Sequence, residues 1–376
     1  MKSSYDLQTL LNPFENYLQI KILSGKQWQL KTLFFSLAIT LTFILLLNKG
    51  YLTQNFKHFY VDTILHKPQP YFFWNAIVEQ GKEPFKVHPH EYGSHESNRT
   101  FRLTMPLISR ILGLEGLGLF VLQAFLGIVF LYLLLNILEK ILVNRLLVFY
   151  FFLAFINVYS GACFFLNCFG HGDGYTYFFI LCAILLRNPV FFSLFIQLSF
   201  WSDERSLITV FGIYLFQKMY FQLKTQKANI LLLVIGINAL LYLGLRMYLS
   251  QHFHLQAADV EQSSVKRFLE IAQSISDWWG ARSFMAFEGF ILLLILFFSI
   301  QICDKQRYAS VLYIIYWLPI ILVSFLVADT VRTFSFTFVF WLFSLFALKE
   351  NVNNIQLKYL LMLIALINMC NPVIFP

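Results

Sequence analysis

The stretch from Val190 to Gln217, VFFSLFIQLSFWSDERSLITVFGIYLFQ, decides how this chain sits in a membrane. It is mostly apolar on both sides of a polar run, SDER, at positions 202–205. As a single helix, the stretch would hold three ionisable groups at mid-membrane, each costing about 2.5–3.5 kcal/mol on insertion scales. As a hairpin of two short or tilted helices, it carries these groups to the membrane surface or into a protein cavity. We therefore predict a helical hairpin with a charged tip.

The composition is that of a multi-pass membrane protein. Of 376 residues, 58% are apolar and only 13% are charged, which lies outside the range of ordinary soluble proteins. Together with the two arms of the hairpin, the other apolar runs predict an all-α bundle of about eleven membrane segments. The whole chain, 1–376, is predicted to form one integral membrane domain. The runs are Thr32–Leu47, Leu117–Ile137, Ile141–Tyr159, Tyr175–Leu186, Ile230–Leu249, Phe287–Ile302, Tyr308–Val327, Phe334–Leu348 and Tyr359–Cys370.

The charges between these segments predict the orientation. With the N-terminus inside and the hairpin as drawn, the inner side holds fourteen basic and five acidic residues. The outer side holds fourteen basic and fifteen acidic residues. Every short inner loop is basic, as the positive-inside rule requires. We expect a cytoplasmic tail over 1–31 and a long extracytoplasmic loop over 51–115. Within the tail, Leu7 to Ile22 fits either an interfacial amphipathic helix or a solvated segment. This orientation fits a bacterial inner membrane protein.

The same assignment gathers most of the chemically active side chains on the outer side. All eight histidines lie there, as do Asp173, Asp203, Glu204, Asp329 and Arg332. Ionisable groups collected at one face of a helical bundle indicate a functional site. The plainer alternative is that the long first loop lies outside and simply contains many histidines.

The first outer segment, 51–115, carries two kinds of candidate. Asp62 lies in an aromatic setting soon after the first span, and Tyr71–Val78 is predicted to form a short helix. Further on, four side chains have donor types suited to zinc or another divalent ion. Hydrogen-bonded surface histidines are the competing interpretation of this group. Its members are His88, His90, Glu91 and His95.

Arginines follow in the same segment. Arg99, Arg102 and Arg110 are spaced so that their guanidinium groups can lie at the outer headgroup level. Their planar forks suit a phosphate or pyrophosphate. Snorkelling toward lipid phosphates explains them equally well.

The second outer loop, SGACFFLNCFGHGDGYTY, is rich in glycine and holds His171 next to Asp173 across one residue. A carboxylate beside a histidine in such a turn could serve as a general base or as a metal ligand. A helix cap formed by Asp173 is an equally good interpretation. Cys163 and Cys168 could form a disulfide on this side, although free buried thiols are the simpler expectation.

Two further sites of paired charges complete the set. At the hairpin tip, adjacent Asp203 and Glu204 cannot both point at one place, so we expect one of them to pair with a nearby cation and the other to be available. Near the last spans, Asp329 and Arg332 are three residues apart, a spacing at which they can also neutralise each other.

With these residues on the outer side, the chain resembles the GT-C type of multi-span glycosyltransferases. Four features carry the resemblance: Asp62 in a large first outer loop, the run from Asn98 to Pro106, Asp173 at the start of a later span, and the broken helix pair around the SDER tip. Members of that superfamily often carry paired acids in the first loop, whereas Asp62 stands alone. The resemblance covers most of the chain by architecture.

The resemblance implies a function and roles for individual residues. It implies transfer of a sugar from a polyprenyl-phosphate donor to a glycan, lipid or protein acceptor, with no part for nucleic acid. A carboxylate would take the acceptor proton, Asp62 first and Asp173 next, while cationic groups hold the leaving phosphate. A divalent metal is compatible with this chemistry. A polysaccharide polymerase or ligase, and a transporter or lipid flippase, are the alternatives. The implied phosphate and substrate residues are Arg99, Arg102, Asp203, Glu204, Arg205, Asp329 and Arg332.

Overall fold

The computed structural model describes residues 7–67, 69–86, 99–255, 284–303, 317, 320, 321 and 330–371. All regular elements in these ranges are helices, as the sequence predicts. The helices are α1 Leu7–Tyr17, α2 Trp28–Thr63, α3 Trp74–Lys82, α4 Thr104–Leu112, α5 Gly116–Leu142, α6 Arg145–Ile156, α7 Tyr159–Leu166, α8 Asp173–Leu185, α9 Pro189–Phe200, α10 Val210–Tyr220, α11 Thr225–Phe253, α12 Phe290–Cys303, α13 Thr330–Ser335, α14 Phe338–Asn351 and α15 Asn354–Cys370. A π turn, Leu18–Ile22, extends α1, and a 3₁₀ helix, Glu204–Thr209, precedes α10.

Among the described residues, three helices are long and apolar enough to cross a membrane: α2, α5 and α11. The pair α6 and α7, bent by 60°, makes a fourth span if it is counted as one segment. Shorter apolar helices complete the bundle, so the chain is an integral membrane protein. The predicted number of about eleven spans is not established by these helices, and the predicted run Tyr308–Val327 lies mostly outside the described residues.

The basic loops predicted to share one side do meet at one end of the bundle. Arg145 donates from Nη1 to the carbonyl oxygen of Leu23 over 2.8 Å, which ties the start of α6 to the turn before α2. The end of α5 lies beside the end of α10, because Lys140 stands over the ring of Tyr220. Lys358 at the start of α15 pairs with Glu15 of α1 at 3.0 Å. This basic end therefore joins the N-terminal segment to the starts of α6 and α15, and the end of α5 to the end of α10.

The opposite end collects the loops that the sequence assigns to the other side. It is held by contacts between segments far apart in the chain. They join Asn75 to Asp62, Trp74 to Cys168, Thr104 to Trp201, and Arg332 to Asp173. We call this the acidic-loop end.

The stretch that contains the SDER run forms the predicted hairpin. Helix α9 ends at Phe200 and the chain resumes as α10 at Val210. Near the far end of α10, Gln217 donates from Nε2 to the carbonyl oxygens of Ala183, Ile184 and Leu186, which lie next to the start of α9. The chain therefore returns to the level from which α9 began. The charged tip lies at the acidic-loop end, as the cost of burying its charges in lipid requires.

The centre of the bundle is packed with aromatic side chains. Every residue of α6 from Leu146 to Ile156 is buried, as expected for a helix that is apolar on all sides. Helix α15 packs along it, and Asn368 donates from Nδ2 to the carbonyl oxygen of Ala154 over 3.0 Å. A stacked pair, Phe290 and Trp341, joins α12 to α14 with centroids 4.4 Å apart. This rigid core supports the loops at the acidic-loop end.

Several smaller predictions can now be compared with the structure. The segment Leu7–Ile22 is helical, and the short helix predicted at Tyr71–Val78 is present as α3, shifted to Trp74–Lys82. Helix α2 continues well past the predicted end of the first span at Leu47, with non-helical backbone at Asn48. The first part of the predicted loop 51–115 is therefore helix. Cys163 and Cys168 are free, buried thiols.

Candidate functional site

The hairpin tip contributes a carboxylate that holds its own neighbour in place. Asp203 is fully buried and accepts from the backbone nitrogen of Arg205 at 2.9 Å, which caps the 3₁₀ helix. The same carboxylate binds the Arg205 side chain twice, Nε at 2.9 Å and Nη2 at 2.6 Å. The predicted pairing of a tip acid with a cation is therefore observed, and the cation is Arg205. The guanidinium group of Arg205, bound to Asp203 through two of its nitrogens, has little freedom to rotate.

The second carboxylate of the site is Asp173, the first residue of α8. Arg332 reaches it in a bidentate fashion, with Nε 2.6 Å from Oδ2 and Nη2 2.8 Å from Oδ1. The hydroxyl of Tyr159 also donates to Oδ2 over 2.5 Å, and Asn167 Nδ2 lies 3.4 Å from it. The N-cap of α8 is Gly172, not Asp173. The carboxylate of Asp173 thus pairs with other side chains and does not cap α8.

A third arginine approaches from the segment before α4. Arg102 binds Glu204 with both ends of its fork, Nε at 3.2 Å and Nη2 at 3.0 Å, and its Nη1 lies 3.2 Å from Oδ2 of Asp203. The start of α4 is fixed to the hairpin because Thr104 donates from its backbone nitrogen to Trp201 at 3.1 Å. Arg102 therefore bridges both acids of the tip. The prediction that one of the two acids stays available is wrong, because a second arginine reaches the tip from the segment before α4.

Longer contacts join these pairs into one network. Arg205 Nη2 lies 3.5 Å from Asp173, and Arg332 Nη2 lies 3.8 Å from Asp203. We call the six residues Arg102, Asp173, Asp203, Glu204, Arg205 and Arg332 the charge network. It has three arginines and three carboxylates. Most of it is buried, but the Arg102 side chain is 14% exposed and that of Glu204 is 29% exposed, so this side of the network opens outward.

The arginines keep the carboxylate at the tip ionised. Burial alone would raise the pKa of Asp203, but the charges of Arg102 and Arg205 and the hydrogen bonds from Arg205 outweigh it. The pKa of Asp203 is consequently held below its ordinary value. The Asp203 carboxylate is thus ionised at neutral pH and is taken up by its ion pairs with Arg102 and Arg205.

A glycine-flanked histidine lies beside the network. Gly170 and Gly172 adopt left-handed backbone conformations, with φ of 81° and 84°, on either side of His171. A Cβ at Gly172 would lie 2.5 Å from the sulfur of Met105, so both the backbone and the space require glycine. The loop is fixed to the start of α3, where Trp74 donates from Nε1 to the carbonyl oxygen of Cys168 over 2.6 Å.

Arg99 binds the same loop from outside. Its Nη2 donates to the carbonyl oxygen of Gly170, and its guanidinium lies 4.0 Å from the ring centroid of Phe73. The ring of His171 also packs on Phe73, at 5.4 Å, and stacks on Phe169 at 5.7 Å. Burial and four nearby arginine charges lower the pKa of His171 well below its ordinary value. These arginines are Arg332, Arg99, Arg102 and Arg205.

Asp62, the first predicted base, lies apart from the network. It is buried in the last turn of α2, where Asn75 donates to its carbonyl oxygen at 2.6 Å and to its Oδ1 at 3.3 Å. The backbone nitrogen of Gln69 lies 3.4 Å from the same oxygen. These contacts hold the start of α3 against the end of α2. Within the described residues, Asp62 forms no ion pair with a network arginine.

The remaining predicted site residues cannot be placed. Asp329 and the predicted metal group, His88, His90, Glu91 and His95, lie outside the described residues. In the part of the chain that the structure describes, no three His, Cys, Asp or Glu side chains come together as a metal site.

Two polar residues of the site were not predicted. Tyr159 and Asn167 lie at the two ends of α7, and both reach Asp173. The sequence offers no signal for them, because a tyrosine and an asparagine near an apolar run are ordinary interfacial residues. Only the bend between α6 and α7 turns them toward the network.

No family model, no curated protein and no solved structure matches this chain. The protein is an integral membrane protein, helical throughout the regular elements of its described residues, with a buried arginine and carboxylate network at one end.

Proposed function

We propose that this protein is a membrane glycosyltransferase that moves a sugar from a polyprenyl-phosphate donor to an acceptor on the extracytoplasmic side. The observation that carries the proposal is the convergence of Arg102, Arg205 and Arg332 on two buried carboxylates at one end of a membrane-embedded bundle. A fourth arginine, Arg99, lies on the adjacent loop. On this proposal the arginines bind the phosphate of the lipid-linked donor.

The carboxylates fit this role because they fix the arginines before a ligand arrives. Asp173 holds the Nε and Nη2 edge of Arg332, and Asp203 holds the same edge of Arg205. Donors fixed in this way need no reorganisation when negative charge develops on a leaving phosphate. In a site that excludes water, such electrostatic stabilisation is worth far more than it is at an exposed surface.

Exposure suggests which residues meet the donor first. Arg102 and Glu204 form the most open edge of the network, whereas the side chains of Arg205 and Arg332 are 6% and 8% exposed. On this proposal Arg102 binds the donor phosphate, Glu204 orients Arg102, and the two deeper arginines stabilise the leaving charge. A polysaccharide polymerase or ligase would use the same donor and the same arginines, and differs in the length of its product.

A binding measurement tests the phosphate site. Purified full-length protein in lipid nanodiscs is titrated with a polyprenyl phosphate and binding is followed by native mass spectrometry. Lysine cannot supply the fork that bridges Asp203 and Glu204, so Arg102→Lys should weaken binding by about tenfold or more, since a hydrogen bond to a charged group contributes roughly 1.5–3 kcal/mol. Arg110→Lys, on α4 outside the network, is the matched control. Equal affinity of the two variants for polyprenyl phosphate would refute the proposed phosphate site.

A turnover measurement tests the reaction. The protein in proteoliposomes receives a polyprenyl-phosphate hexose labelled in the sugar, together with a lipid extract that supplies acceptors. Release of polyprenyl phosphate together with a labelled product of one added sugar supports the transferase. A ladder of longer products indicates the polymerase. Movement of intact donor between leaflets without bond cleavage would indicate a flippase and refute the proposal.

A further inference from the structure

Glycosyl transfer needs a group that accepts the proton of the acceptor hydroxyl, and the network carboxylates are poorly suited to that task. Asp173 accepts from Arg332, Tyr159 and Arg205, and Asp203 from Arg205 and Arg102. A carboxylate stabilised by several cationic donors is a weak base. Its proton affinity is low because protonation would break those ion pairs.

His171 lies beside these acids and is not used in this way. Its ring packs on Phe73 and Phe169, and it forms no hydrogen bond or ion pair with any described residue. It is only partly buried, whereas Asp173 is inaccessible. Left-handed glycines on both sides hold the loop in a conformation that other residues rarely adopt. The loop thus presents a partly accessible imidazole whose nitrogens have no hydrogen-bond partner among the described residues.

Burial and the surrounding arginine charges keep the ring of His171 neutral. Arg332, Arg99, Arg102 and Arg205 all act on it, and the nearest carboxylate in sequence, Asp173, is already paired with two of them. A neutral imidazole can accept a proton at neutral pH, which an imidazolium cannot do. The same surroundings make the imidazole of His171 a weak base. A bound phosphate anion would offset part of the arginine charge and so strengthen this base.

We infer that His171 is the proton acceptor of the proposed transferase, an inference that rests on the proposed function. The acceptor hydroxyl gives its proton to a ring nitrogen of His171 while its oxygen forms a bond to the anomeric carbon. The bond from that carbon to the phosphate oxygen breaks, and the phosphate leaves with the electron pair, facing the network arginines. The imidazolium then returns its proton to water or to the phosphate monoester.

Replacement of the imidazole tests the assignment. His171→Gln keeps a side chain of similar length but cannot accept a proton, so turnover of the labelled polyprenyl-phosphate hexose should fall by about 100-fold or more, the usual contribution of a general base. Binding of polyprenyl phosphate should stay within about threefold of wild type. His171→Asn is the second variant, should the glutamine protein misfold. His252→Gln, exposed at the end of α11, is the control for loss of a histidine.

Three results with these variants would overturn the inference. Near-normal turnover in His171→Gln would do so, and loss of turnover in Asp62→Asn beside an active His171→Gln would assign the proton to Asp62. Equal loss of binding and turnover in His171→Gln would show that the ring only supports the loop. If the wild-type protein does not bind polyprenyl phosphate, the proposed function is refuted, and this inference is refuted with it.

A second measurement does not depend on turnover. Diethyl pyrocarbonate modifies neutral imidazoles, and peptide mass spectrometry of the full-length protein reports modification at His171. Its rate should change less than twofold between pH 7.5 and 5.5, whereas that of free N-acetylhistidine in the same buffers should fall several-fold as the ring protonates. Polyprenyl phosphate should slow the modification of His171. A ring that is unreactive at pH 7.5, or that loses reactivity in step with N-acetylhistidine, contradicts a neutral, accessible base.

Discussion

The pair formed by Asp173 and Arg332 should be strongly coupled in folding. Two unit charges about 4 Å apart interact by about 4 kcal/mol at the effective dielectric constant of a protein, about 20. Removing one partner of a buried pair costs about 3–5 kcal/mol, because the other charge stays buried. In Arg332→Gln the remaining carboxylate keeps Arg205 at 3.5 Å and the Tyr159 hydroxyl, so we expect the lower part of that range.

The double variant separates the pair from the two side chains. Asp173→Asn leaves Arg332 with Asp203 at 3.8 Å, so this change should also cost about 3 kcal/mol. When both charges are removed, no unpaired charge remains between them. The double variant should therefore be about 1–3 kcal/mol more stable than the sum of the single effects predicts. Additive losses would refute the view that the pair holds the two segments together.

The protein carries its own reporters for this measurement. Cys163 and Cys168 are buried free thiols, so a thiol-reactive fluorophore follows unfolding in an SDS titration of mixed micelles. The exposed Cys370 is first changed to serine to remove its background signal. Glu79 and Lys82 form the control pair at 2.6 Å, with side chains 61% and 65% exposed. Their coupling should be below about 1 kcal/mol, as for exposed ion pairs in general.

Three further predictions concern acid stability, packing and topology. Because the pKa of Asp203 lies below its ordinary value of 3.8, its contribution to stability is present above about pH 4 and is lost toward pH 2. Asp203→Asn should flatten this fall of stability in an acid titration. An unchanged titration curve would contradict the prediction. Gly161→Ala would place a Cβ 2.2 Å from a backbone oxygen and should cost about 1–3 kcal/mol in the SDS titration, whereas Gly236→Ala meets open space and should be neutral or slightly stabilising. A membrane-impermeant maleimide added to intact cells should label Lys82→Cys and not Lys224→Cys in the serine-substituted background, and the opposite pattern would invert the topology.

The sequence predicts the hairpin well because one physical cost dominates there. Three charged residues in an apolar stretch must leave the lipid, and the break between α9 and α10 at the SDER run satisfies this requirement. The grouping of basic loops at one end follows from the same asymmetry between lipid and water. The structure also brings six predicted outer residues into one network, and one of them, Arg332, comes from far along the chain.

What the sequence could not predict is which charges pair. Asp62 and Asp173 look equivalent as acids near the end of a span, yet one is held by Asn75 and the other by Arg332. This difference arises from the bend between α6 and α7 and from the return of the chain at Arg332, which are tertiary features. Uncharged partners such as Tyr159 are harder still to predict, because the chain contains 19 tyrosines and nothing in the sequence distinguishes this one. Hydroxyl donors therefore carry no local signal of their role.

The charge balance of the site bears on its ligand. The network itself is neutral, and Arg99 adds one positive charge on the adjacent loop. A polyprenyl-phosphate sugar is a phosphodiester with a single negative charge, which such a site can neutralise. Transfer of the sugar converts the diester to a monoester with up to two negative charges and, on the inference above, turns His171 into a cation. The added positive charge appears where the added negative charge does, so the reaction moves a proton without leaving either charge unbalanced in a poorly solvated site.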